Sequence, residues 1–300
     1  MINYSIIIPH KNTPDLLRKC LDSIPQRADI QIIVVDDNSD AEKVNFEHIP
    51  GLGEPHTEVY LTKKSKGAGY ARNVGLEHAI GKWVLFLDSD DFFHESISEL
   101  MDMCSDMDAD VIFYKADSVN ITDGTDGHRG DEFSRRVDIA IKGDNFQPVL
   151  LYSSPIGKII KFEFLSKNNI KFNEVRYSND VVFMAKVALY SEKHKAIDLT
   201  AYCISVSKGT LTGIANPESC LIRLKQDIEG IKLLKKKYKL SRDEKFWYYY
   251  TWKGVYDTKI IKGFLYYPQM LNLLGFDFLQ DSLTMFYKNI KHKVKSINNK

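Results

Sequence analysis

Three carboxylates crowd together in Asp88-Ser89-Asp90-Asp91, directly after the apolar run Trp83 to Leu87. Acids packed at the end of a strand repel one another, and a divalent cation relieves that repulsion. Hard, oxygen-seeking Mg2+ or Mn2+ suits such a set and keeps waters and substrate phosphates as its other ligands. A plainer use is open too, with Asp90 or Asp91 capping a helix that starts near His94 or Glu95. A second acidic pair, Asp36 and Asp37, follows the apolar run Ile30 to Val35. A carboxylate there can accept hydrogen bonds from a base edge or a ribose hydroxyl, or close an Asx-turn within Asp36-Asp37-Asn38-Ser39-Asp40. Lys63-Lys64-Ser65-Lys66-Gly67-Ala68-Gly69-Tyr70-Ala71-Arg72-Asn73 sets basic side chains and a glycine turn at a helix N-terminus. That is a cradle for phosphate oxygens, or the start of a surface helix. It matches a dinucleotide fingerprint only in part, because Arg72 stands where a third glycine belongs. The last candidate is Asp180 in Arg176-Tyr177-Ser178-Asn179-Asp180-Val181-Val182-Phe183, either a base able to take a hydroxyl proton or a complement to a helix dipole.

These groups need rigid elements behind them. Ser5 to Ile8, Ile30 to Val35, Trp83 to Leu87 and Val111 to Tyr114 are short continuous apolar runs, the pattern of strands buried on both faces of a parallel sheet. Amphipathic segments at Pro14 to Ser23, Ala68 to Ala79 and Glu95 to Asp106 alternate with them. The alternation predicts an α/β fold, a doubly wound, mostly parallel sheet flanked by helices. In such sheets ligands bind outside the carboxyl ends of the strands. Those ends are Pro9 to Asn12, Asp36 to Asp40 and Asp88 to Asp91. Ser118 to Phe146 is polar and glycine-bearing, and reads as an excursion or hairpin. Val149 to Tyr190 mixes short strand-like pieces with a helix from about Asn179, Ala196 to Val206 reads as one or two strands, and residues after Glu218 read as helical. The expected division is a catalytic domain over 1–217 and a helical, aromatic-rich, basic region over 218–300.

Composition narrows the class. With 300 residues and 44% hydrophobic content, the chain can fill a substantial core. Cys20, Cys104, Cys203 and Cys220 form no CxxC pair, and the eight histidines are scattered, so neither a thiolate zinc site, a redox motif nor a histidine metal site is expected. The N-terminus lacks a basic n-region, and no stretch reaches the roughly 18 apolar residues of a membrane span. A cytoplasmic protein is expected. Residues 223–300 carry 17 Lys+Arg against 7 Asp+Glu, leaving 24 against 33 in residues 1–222. Fourteen of the 35 aromatic residues fall within 246–287, ahead of Lys288, Lys291, Lys293, Lys295 and Lys300. Such a tail suits peripheral contact with the inner face of an anionic membrane, and equally suits helical packing or a dimer contact.

Ser-Ile-Ile-Ile-Pro-His-Lys-Asn from Ser5, Ile32 to Asp40, Lys66 to Asp91 and Phe172 to Phe183 together resemble family 2 glycosyltransferases, whose nucleotide-sugar domain has the GT-A fold. The resemblance is close over residues 3–115 and looser over 155–190. It implies that Asp37 holds the nucleobase or ribose with Pro9 lining the pocket. Asp88 and Asp90 would be the DxD pair that grips the ribose and, with Mn2+ or Mg2+, the diphosphate. Lys66 and Arg72 would lie near the diphosphate, and Asp180 would be the general base. The implied reaction moves a sugar from a nucleoside-diphosphate sugar, a UDP-sugar by expectation, to a hydroxyl of a growing glycan or lipid-linked saccharide, with inversion. Two positions depart from the family pattern: His10-Lys11 replaces an apolar residue and tyrosine, and Asn179 replaces the glutamate that usually precedes the base. Two rivals remain, a non-catalytic scaffold and a sugar nucleotidylyltransferase. The second would need a glycine-rich loop where Pro9-His10-Lys11-Asn12 stands.

Overall fold

A computed structural model of the chain describes residues 1–207, 216–257 and 265–284. The chain divides into two units, Met1–Thr212 and Gly213–Lys300. The first holds an eight-stranded mixed sheet. Its strands are β1 (Tyr4–His10), β2 (Ile30–Asp36), β3 (Thr57–Leu61), β4 (Trp83–Phe86), β5 (Phe92–Phe93), β6 (Val111–Asn120), β7 (Lys158–Lys161) and β8 (His194–Val206). They lie in the order β3-β2-β1-β4-β7-β6-β8-β5.

All residues of β1 and β2 are buried, as continuous β-branched runs demand once both faces are covered. The two strands pair in parallel with Ile6 opposite Ile32, and β4 joins the other side of β1 with Ile7 opposite Phe86. Pro9 lies beyond the last residue of β1 that β4 pairs, a position where a missing N–H is tolerated. Helix α1 (Pro14–Asp22) starts with proline in its first turn and buries Leu17, Cys20 and Leu21. Helices α2 (Ala68–His78) and α3 (Ile97–Cys104) follow β3 and β5. The sheet continues through β7, antiparallel to both β4 and β6, and then β8 runs parallel to β6.

Three sequence expectations need correction. Ser118 to Phe146 makes the expected hairpin only at its start, where Val119 bridges Asp126 in antiparallel and Gly127 donates to the Ser118 carbonyl, and the unforeseen part is α4 (Asp131–Gly143), which buries Phe133, Arg136, Val137 and Ala140. Neither Asp90 nor Asp91 caps a helix, because β5 intervenes and α3 begins only at Ile97, with Ser96 as its N-cap. Strands β3 and β5 escape the apolar-run criterion, one being a half-buried strand that opens with Thr57 and Glu58 and the other two residues long.

After α5 (Gln147–Leu150), β7 and α6 (Phe162–Lys167), helix α7 (Asn179–Tyr190) packs back on the sheet. Phe183 stacks on Phe172 at 3.8 Å, and both meet Phe86 of β4 edge-on at 5.6 and 5.1 Å. Burying side chains of this size contributes about 1.5–3 kcal/mol each, enough to hold the start of α7 against the end of β4. In the second unit, α8 (Pro217–Leu234) opens with a reciprocal capping box between Asn216 and Ser219. Helices α9 (Arg242–Asp257) and α10 (Tyr267–Leu274) follow, with Trp252 buried against Tyr267 and Phe278. No helix of the described residues is long and apolar enough to cross a membrane. The lysine tail from Lys288 to Lys300, on which part of the membrane expectation rests, lies outside the described residues.

Candidate active site

The ends of β1 and β2 form a rigid acidic corner. Asp36 is buried, bonded at 2.9 Å to Nδ1 of His10, and accepts the Ser39 amide at 2.8 Å. The Asx-turn foreseen for this run is made by Asp40, which accepts the Glu42 amide two residues on at 3.1 Å, while Asp36 closes a wider turn to Ser39. Burial pushes the Asp36 carboxyl up, but His10 and Ser39 outweigh it and hold the group below its ordinary value. The Thr13 amide donates to Nε2 of His10 at 3.2 Å, so a tautomer protonated at Nδ1 satisfies both contacts. Thus His10, one of the two departures from the family pattern, is a buried brace between β1 and β2.

Asp37 is buried one residue further on. Its two oxygens accept the backbone amides of Lys66 (3.0 Å) and Gly67 (2.7 Å), which ties the loop before α2 to the end of β2. Lys11 reaches the Asp37 carbonyl at 2.7 Å. Gly67 has φ +95°, a conformation that side chains resist. Gly69 lets α2 approach α7: a Cβ there would stand 2.4 Å from the Asn173 carbonyl and 2.8 Å from Cβ of Asn179. Lys66 points its ammonium at Glu174 on the surface, at 2.6 Å.

That close approach brings Arg72 to the centre. Its guanidinium is buried and donates to Asp88 at 2.5 Å and to Oδ1 of Asn179 at 3.0 Å, while the Phe172 ring lies 5.3 Å away. Burial works against the charge of Arg72, but Asp88 more than offsets it and raises the guanidinium further. Asp88 is half-buried, Asp90 is exposed and Asp91 is buried. The three divide their labour. Asp91 accepts the Tyr202 hydroxyl at 2.7 Å and the Ser205 amide at 2.8 Å, anchoring the loop to β8. The Tyr202 oxygen in turn accepts the Asp88 amide at 3.2 Å. Desolvation first, then Asp88, raises the Asp90 carboxyl, and the same causes with Asp90 added raise Asp91 well above its ordinary value.

Asp180 lies in the first turn of α7, beneath N-cap Ser178, which adopts φ +52°. Desolvation raises its carboxyl. Asp88 adds to the rise, whereas Arg72 and Lys158 oppose it without cancelling it. The structure thus gathers Asp88, Arg72, Asn179 and Asp180 at one place, with Asp90 on the open side. Asp37, Lys66 and Pro9 gather at the neighbouring strand ends.

Three contributors escape the sequence reading. Asn179 supplies the second acceptor for Arg72, Tyr202 links two acids, and Lys158 is fully buried on β7. Lys158 donates to the Ser154 carbonyl at 2.5 Å, faces the Phe133 ring at 4.7 Å, and is pushed down to about 7 by desolvation. Only Asn179 had a visible signal, as the replacement for an expected glutamate.

A mixed sheet with buried parallel strands, a basic side chain locked onto the first acid of an Asp-Ser-Asp pair and a buried acid opening a helix beside it define one class of protein. Residues 5–168 match the profile of Glycosyl transferase family 2, and the chain belongs to that family. Glycosyltransferase GlyA of Streptococcus pneumoniae is 28% identical over 222 residues, which cover 70% of this chain and 31% of that protein. Poly(ribitol-phosphate) beta-N-acetylglucosaminyltransferase TarS of Staphylococcus aureus is 26% identical over 208 residues, 67% of this chain and 35% of that protein. The chain spans about a third of the length of these curated relatives. The crystal structure of residues 1–349 of S. aureus TarS with UDP-GlcNAc superposes with a TM-score of 0.63 at 20% identity, covering 93% of this chain and 81% of that one, so the fold is shared.

Proposed function

We propose that this chain is an inverting glycosyltransferase that moves a sugar from a nucleoside-diphosphate sugar to an acceptor hydroxyl. The observation that carries the reading is the cluster of Asp88, Arg72, Asn179 and Asp180, which sets a buried acid of raised proton affinity beside a fixed positive charge. Asp180 accepts the proton of the acceptor hydroxyl as its oxygen attacks the anomeric carbon. The nucleoside diphosphate departs from the opposite face. One displacement inverts the configuration, and no enzyme nucleophile is needed. Arg72 and Asn179 hold Asp88 and the first turn of α7 in register, so the positions of donor and base are set together. Pro9 and Asp37 line the base and ribose end, Asp88 grips the ribose, and Lys66 stands where it can swing from Glu174 to a phosphate.

The residues fit a divalent cation. Asp90 is open, and with Asp88 it makes an all-oxygen pair whose repulsion a cation relieves, a donor set suited to Mn2+ or Mg2+. When bound, such an ion would neutralise charge on the leaving diphosphate.

A UDP-sugar is the favoured donor, because a TarS structure of the same fold holds UDP-GlcNAc. The acceptor we favour is a growing surface polysaccharide or a lipid-linked saccharide, since TarS and a Bacillus relative are named for transfer to poly(ribitol-phosphate). Its place would be the cytoplasm, with the basic, aromatic region against the membrane.

Donor hydrolysis and binding across a panel of nucleotide sugars with Mn2+ or Mg2+, for the native chain and Asp90→Ala, test the reading. Metal-dependent selection of one donor, lost in the variant, supports it. Absence of binding to any donor, or a product of retained configuration by NMR, would overturn it.

A further inference from the structure

Behind the acidic loop, on the far strands of the sheet, three side chains of different chemistry converge. His94 directly follows β5, Asp117 lies on β6, and Cys203 lies on β8, the strand between them. Asp117 and Cys203 are register partners across one strand pair, and Phe92, two residues before His94, is the register partner of Cys203 across the other. The His94 amide donates to the Ala201 carbonyl at 3.1 Å, which fixes the backbone that carries the imidazole. Nε2 of His94 lies 2.8 Å from Asp117, and the three donor atoms, with the Cys203 sulfur, lie within 4.8 Å of one another.

We propose that His94, Asp117 and Cys203 form a zinc site, distinct from the Asp88–Asp90 pair. One nitrogen, one sulfur and one oxygen make a borderline-soft set, right for Zn2+ and wrong for Mg2+ or Ca2+. With Zn–N near 2.0–2.1 Å and Zn–S near 2.3 Å, tetrahedral ligands stand roughly 3.3–3.8 Å apart. The observed spacing reaches that with small side-chain movements. The sulfur is buried, whereas His94 and Asp117 are 35% and 50% exposed, so the ion has an entry path and a fourth position open to water. Binding releases the thiol proton to solvent and forms the sulfur–metal bond in its place. The ion would clamp β5, β6 and β8 together just behind Asp91.

Cobalt(II) serves as the spectroscopic probe on the full chain. One equivalent should produce a thiolate-to-cobalt charge-transfer band in the near ultraviolet, displaced by Zn2+, and Zn2+ should raise Tm. Cys203→Ser and His94→Ala should abolish the band and weaken zinc by more than the roughly 10–100-fold that loss of a partner behind a ligand costs. His94 is surface-accessible, so its variant keeps the test sound if the cysteine variant folds poorly. Asp90→Ala, and His128→Ala in the exposed Asp126–His128–Asp131 group, should keep the band. No band in the native chain, or a band that survives Cys203→Ser, overturns the assignment.

Discussion

Asp180 illustrates a conflict between function and stability within a single side chain. Its raised carboxyl means that the folded state binds a proton more tightly than the unfolded one, so its contribution favours folding at low pH and is lost as pH rises through the folded value. At neutral pH the charged carboxylate weighs against folding. Asp180→Asn should thus raise the thermal midpoint in scanning calorimetry while lowering kcat by about 10²–10⁴-fold, the usual contribution of a positioned base. In the native chain, kcat/KM should fall on the acid side with an apparent pKa above the ordinary carboxylate range, and a pH profile would show it. Asn179→Glu places another negative charge beside that base and should move the acid limb to higher pH. Asn179→Ala should instead leave Nη1 of the buried Arg72 without its acceptor, costing about 1–3 kcal/mol in chemical denaturation. Asp37, Asp88, Asp90 and Asp180 were legible as candidates because acids that follow apolar runs or open helices are conspicuous. Asn179 as a partner of Arg72 was not, because the two residues are 107 positions apart and neither type announces the other.

Strands β1, β2, β4 and β6 were legible for a physical reason: a strand covered on both faces must be apolar throughout, and that pattern survives in one dimension. The α4 segment was not, because a half-exposed helix with charges at Arg135, Arg136 and Asp138 resembles a polar loop until its buried stripe is seen. Strand β7 is more instructive still. Its first residue, Lys158, has an amine pushed down to about 7 against 10.5 for the unperturbed group. Between those values the unfolded chain holds a proton that the folded chain does not, so stability rises with pH over that window. The native chain should gain on Lys158→Met from pH 7 to 10 at up to about 1.4 kcal/mol per pH unit, read from denaturant midpoints. A flat difference would mean that the ammonium stays charged among Phe133, Tyr152 and the Ser154 carbonyl. The α2–α7 approach offers a separate test: Gly69→Ala forces a Cβ onto the Asn173 carbonyl and should cost about 1–3 kcal/mol by overpacking, with a loss of turnover as Arg72 shifts.

Across the whole molecule, charge is unevenly spread. Residues 1–222 carry an excess of acid and residues 223–300 an excess of base, 17 Lys+Arg against 7 Asp+Glu. If that region meets a membrane, the full chain should co-sediment with vesicles rich in phosphatidylserine at low salt and release as ionic strength rises, since such attraction decays over about 10 Å at 0.1 M salt. No shift on neutral vesicles is expected. A separate consequence follows from the strand order. Among the described strands the sheet ends on one side in β5, two residues long, and on the other in β3, a five-residue strand that carries the charged Glu58. Because β5 pairs only Tyr202 and Cys203 of the thirteen-residue β8, the rest of that edge is blunted by other means: the Ser205 amide donates to Asp91, the Ala201 carbonyl accepts the His94 amide, and His194, Lys195, Asp198 and Thr200 make the strand polar. The central strands, with the sequences most prone to amyloid-like stacking, are shielded on both sides by neighbours that make poor templates, so the folded chain resists edge-to-edge growth into fibres.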